Sequence, residues 1–90
     1  MKIETLQSLI ARTRNEINIL HEEEHDLNRV IKMHTDEIPR LLEQGWNAMS
    51  STEYLKVLHN DLAKVKSKIK KLVAIQRELK MELVNKYWER

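Results

Sequence analysis

Cysteine and phenylalanine do not occur in this chain, and glycine and proline occur once each. Without cysteine there is no disulfide framework and no thiolate zinc site. One glycine and one proline leave almost no turn chemistry, which excludes a sheet protein built from hairpins. Two tryptophans and two tyrosines are the whole aromatic content of 90 residues. The longest apolar run, Leu72 to Ile75, is far short of the roughly 20 residues that span a bilayer. The N-terminal Met1-Lys2-Ile3-Glu4 has no signal-peptide core, so the expectation is a cytoplasmic protein with no membrane partner.

What remains is a chain 33% charged and rich in Leu, Ile, Glu and Lys, the composition of long helices in one small domain. Its charge is divided. Residues 1–45 hold six Lys and Arg against nine Asp and Glu, and residues 46–90 hold ten against five. Two helices lying side by side would turn that asymmetry into attraction.

The apolar spacing supplies the helices. Ile3, Leu6, Ile10, Ile17, Leu20, Leu27, Ile31, Ile38 and Leu41 follow in steps of three and four once Thr13, Glu24 and His34 are counted with them. Leu55, Leu58, Leu62, Val65, Ile69, Leu72, Gln76, Leu79 and Leu83 form a second such stripe, with Lys86 one step on. Period two is absent, so both are heptad-patterned helices of the coiled-coil kind. Gly45 closes the first, and Ser50 with Glu53 has the spacing of a capping box that opens the second. The expected fold is an all-α antiparallel helical hairpin: helix about 2–44, turn about 45–51, helix about 52–88. Pro39 should kink or break the first helix. Apolar residues beside the seam (Leu9, Val30, Leu42, Val73, Ile75, Val84, Tyr87 and Trp88) widen the stripes beyond what a two-helix seam needs. The expectation from that width is a homodimer, a four-helix bundle.

Glu24, His34 and Gln76 interrupt the apolar seam and are read as a polar core layer that fixes register. His21-Glu22-Glu23-Glu24-His25 matches H-E-x-x-H, and its Glu-x-x-His half matches the di-iron bundle motif. A hairpin offers neither a substrate-binding strand nor a third ligand, and Glu22 and His25 face outward, so no metal or cofactor is expected.

Arg12, Arg29, Arg40 and Glu53, with Glu89 near the end, are similar in order and spacing to the active-site residues of the all-helical chorismate mutases. That resemblance would imply a pocket of converging arginines. The family divides its second half into two helices, however, and the stripe from Leu55 to Leu83 has no Gly, Pro or cap to divide it. Arg12 and Arg29 also lie on different helix faces. No family is assigned.

Two surfaces remain. Lys64, Lys66, Lys68, Lys70 and Lys71 form a basic comb able to neutralise phosphates, though no aromatic residue is interleaved to stack bases. Met81, Val84 and Trp88 recur at i, i+3 and i+7 away from the seam, with Tyr87 beside them, the residue types of a protein-docking face. Trp46 beside the turn is a second anchor of that kind. The sequence therefore points to a non-enzymatic interaction module, an adaptor, assembly factor or inhibitor that regulates by occupying a protein partner's surface. Nucleic-acid binding through the lysine comb is the alternative.

Overall fold

A computed structural model of the chain describes residues 2–88. It holds two helices, α1 (Ile3–Glu43) and α2 (Met49–Trp88), and no strand among the described residues. The fold is an all-α antiparallel hairpin.

Each boundary has a local cause. Gly45 stands at φ +78°, in the left-handed region that glycine enters without steric cost. Its amide donates to the Leu42 carbonyl at 3.1 Å, and that of Trp46 to the Leu41 carbonyl at 2.9 Å. This pair of bonds is a Schellman motif, which satisfies carbonyls that the end of α1 would otherwise leave unpaired. The second helix starts three residues earlier than the Ser50–Glu53 spacing indicates. Asn47 Oδ1 accepts the Met49 amide at 2.9 Å, and the Thr52 amide already donates to the Ala48 carbonyl at 3.0 Å. Ser50 is thus inside the first turn of α2 and cannot cap it. The early start also brings half-buried Ser51 onto the stripe, four residues before Leu55.

Pro39 does not break α1, which continues through it to Glu43. Proline lacks the amide hydrogen that would reach the Thr35 carbonyl, one helical bond lost only four residues from the helix end. Immediately upstream, Thr35 Oγ1 donates to the Ile31 carbonyl at 2.7 Å, an additional bond on the turn before the gap.

The chain packs as two compact units. In the first, the start of α1 up to His21 lies with the end of α2 from Ser67. Leu6, Ile10 and Ile17 are buried there, with Leu6 fully enclosed, and Ile69, Leu72, Leu79 and Leu83 are half-buried. Thr13 shares this core at 8% exposure because its Oγ1 donates to the Leu9 carbonyl at 2.7 Å, so no polar atom is stranded. Gln7 Nε2 donates to the Tyr87 hydroxyl at 3.3 Å, tying α1 to α2.

The second unit, 22–66, contains the turn. Ala48, Leu58, Leu62 and Val65 are buried in it, with Leu27, Val30, Ile31, Ile38, Leu41 and Leu55 half-buried. His34 meets the Tyr54 ring edge-on at 4.9 Å between centroids, and its Nδ1 lies 3.7 Å from Glu37 Oε2. Every stripe position read from the sequence, the polar ones included, is buried or half-buried. Burying a large aliphatic side chain contributes about 1.5–3 kcal/mol, which makes these seams the main support of the hairpin.

Candidate docking surfaces on the second helix

Residues 73, 77, 80, 81, 84 and 88 share one flank of α2 by their spacing. Val73, Met81, Val84 and Trp88 on that flank are exposed, Met81 at 60% and Trp88 at 83%. Val73, Gln76, Met81 and Val84 line a shallow groove of about 270 Å³, with Arg77 and Lys80 at its border. Tyr87 differs from its neighbours. Its hydroxyl is engaged with Gln7, so the residue joins the two helices while its ring stays half exposed.

A second groove, of about 490 Å³, has apolar walls of Ile19 and Leu20 from α1 and Leu72 and Ile75 from α2. Glu16, Lys68 and Lys71 form its rim. Ile19 is 56% exposed and Ile75 46%. The sequence reading passed over Ile19 because it sits two residues after Ile17 and off the stripe. The spacing that puts it off the stripe also puts it on the flank beside the seam. At the turn, Ile38, Leu42 and Met49 line a third depression, and Trp46 stands exposed nearby. Leu42 and Met49 are exposed as well, which the single anchor expected at Trp46 did not include.

Lys64, Lys66, Lys68, Lys70 and Lys71 are all exposed on α2, and Lys68 and Lys71 border apolar walls as well as solvent. The three polar seam residues are all half-buried. Glu24 and His34 belong to the turn-containing unit, and Gln76 lines the same groove as Met81. His21, Glu22 and His25 of the H-E-x-x-H match are exposed. Among the described residues no group of three or more His, Asp or Glu side chains is placed to hold a metal ion. Arg29 pairs locally with Asp26 at 3.6 Å, and α2 runs from Met49 to Trp88 without the division that the chorismate mutases have. No described helix is long and apolar enough to cross a membrane. The chain matches no model of a known protein family, no curated protein and no solved structure.

Proposed function

We propose that the chain is a non-enzymatic protein-interaction module whose docking face is the flank of α2 carrying Val73, Met81, Val84 and Trp88. The observation that carries this reading is Trp88 at 83% exposure, at the end of a row of solvent-facing apolar side chains. Tryptophan and methionine lose much apolar area to a partner and are the usual anchors of such contacts. Arg77 and Lys80 beside them select a partner segment with acidic residues. The action is occupancy of a surface in the cytoplasm, as an adaptor, assembly factor or inhibitor.

The test is affinity capture from native extract with the wild-type chain and with Met81→Ala combined with Trp88→Ala. The wild type should retain a stoichiometric protein that the double variant loses, with both chains equally helical by circular dichroism. Equal retention by both rejects the docking face. Nucleic-acid binding is the second reading, favoured by the exposure of all five lysines from Lys64 to Lys71.

A further inference from the structure

We infer that the groove walled by Ile19, Leu20, Leu72 and Ile75 is the seat of a second copy of this chain. Exposed area favours it. The accessible surface is 7238 Å², whereas a compact 10.8 kDa monomer exposes roughly 5,500 Å². A two-helix hairpin exposes that excess along its whole length, and it exceeds the roughly 800 Å² that a standard interface takes from each partner. Much of the apolar part of that surface is aliphatic, Ile19 and Ile75 among it.

Charge favours it as well. α1 carries five Lys and Arg against nine Asp and Glu, and α2 carries nine against four. The groove repeats this division locally, with Glu16 on the α1 side and Lys68 and Lys71 on the α2 side. A patch with one sign on each half is complementary to itself under a two-fold rotation about an axis along the helices. That operation lays α1 of one copy over α2 of the other. Glu16 then reaches Lys71 of the second copy, with Lys68 one turn beyond, and Ile19 meets the second copy's Ile75. The other two-fold arrangement, α1 over α1 and α2 over α2, sets lysine against lysine.

The groove and the proposed docking face do not compete. Ile75 and Val84 are nine residues apart, two and a half turns, so they stand on opposite flanks of α2. A second copy in the groove leaves Met81, Val84 and Trp88 uncovered, and this inference does not rest on the function proposed for them.

Sedimentation equilibrium of the full chain over a concentration series tests the inference. The wild type should reach twice the chain mass. Ile75→Glu should raise the dissociation constant about tenfold or more, because it sets a charge in the apolar contact. Trp88→Ala should leave it unchanged. Glu16→Lys alone and Lys68→Glu with Lys71→Glu alone should each weaken self-association, and an equimolar mixture of these two chains should restore it. The chain has no native cysteine, so Ile19→Cys and Ile75→Cys chains can be mixed and oxidised. The disulfide between positions 19 and 75 of different chains should dominate over either homotypic one. A wild type that stays monomeric at millimolar concentration overturns the inference. So does a dimer indifferent to Ile75→Glu, a charge-swapped mixture that stays monomeric, or predominance of a homotypic disulfide.

Discussion

The imidazole of His34 stands edge-on to the ring of Tyr54, with 4.9 Å between centroids and 77° between planes. The contact joins α1 to α2 inside the turn-containing unit, and it explains how a histidine is accommodated at an apolar stripe position. Ring pairs of this kind contribute about 0.5–1.5 kcal/mol beyond burial. A double-mutant cycle of His34→Ala and Tyr54→Ala, followed by urea unfolding, should give a coupling of about 1 kcal/mol. The Tyr54→Ala chain alone should melt about 4–8 °C lower for each kcal/mol lost. A coupling of zero would make the ring contact incidental.

Asn47 rather than Ser50 caps α2, and the two substitutions should separate cleanly. Asn47→Ala removes the side-chain acceptor from the Met49 amide and should cost about 1 kcal/mol. Ser50→Ala replaces a residue already inside the helix with a better helix former, so stability should hold or rise by a few tenths of a kcal/mol. Thermal melts of the two chains measure both. The reverse ranking would restore the capping box read from the sequence.

The stripes were legible because burial in a two-helix seam is one-dimensional. A residue is on the seam or off it, and spacing alone decides. This is why even the polar members, Thr13, Glu24, His34 and Gln76, were assigned to the buried side. Gly45 was legible for a different reason, since only one residue could take a left-handed turn without strain. The start of α2 was not, because Asn47, Ser50 and Ser51 are all competent caps and local chemistry does not rank them. The groove at Ile19 and Ile75 was missed because it needs the lateral placement of one helix against the other. A heptad pattern places Ile19 beside the seam but does not say which residues of α2 share that side.

Thr13 shows how a polar seam position is tolerated. Its hydroxyl bonds the Leu9 carbonyl within the same turn of α1, so it needs nothing from α2. Thr13→Val keeps the shape, removes a hydroxyl whose net contribution is small, and adds a methyl to a site only 8% exposed. The variant should be neutral to about 1 kcal/mol more stable in urea unfolding. A loss of 2 kcal/mol or more would mean that the hydroxyl has a further partner and a role in fixing register.

Lys66 and Lys70 stand on the flank of α2 away from the groove, whereas Lys68 and Lys71 form its rim. Lys66→Glu with Lys70→Glu should therefore leave self-association through the groove intact. Under the interaction-module reading, a labelled DNA or RNA duplex should bind only at low salt and lose its anisotropy change near physiological ionic strength, where a few lysines cannot hold a phosphate backbone. The outcome that favours nucleic acid is different in kind. Binding would persist at physiological salt, and reversing the two charges would weaken it while reducing the slope against log salt by about two. Because the two lysines are exposed on the face of α2 opposite the groove, either result is read without disturbing the hairpin or its self-association.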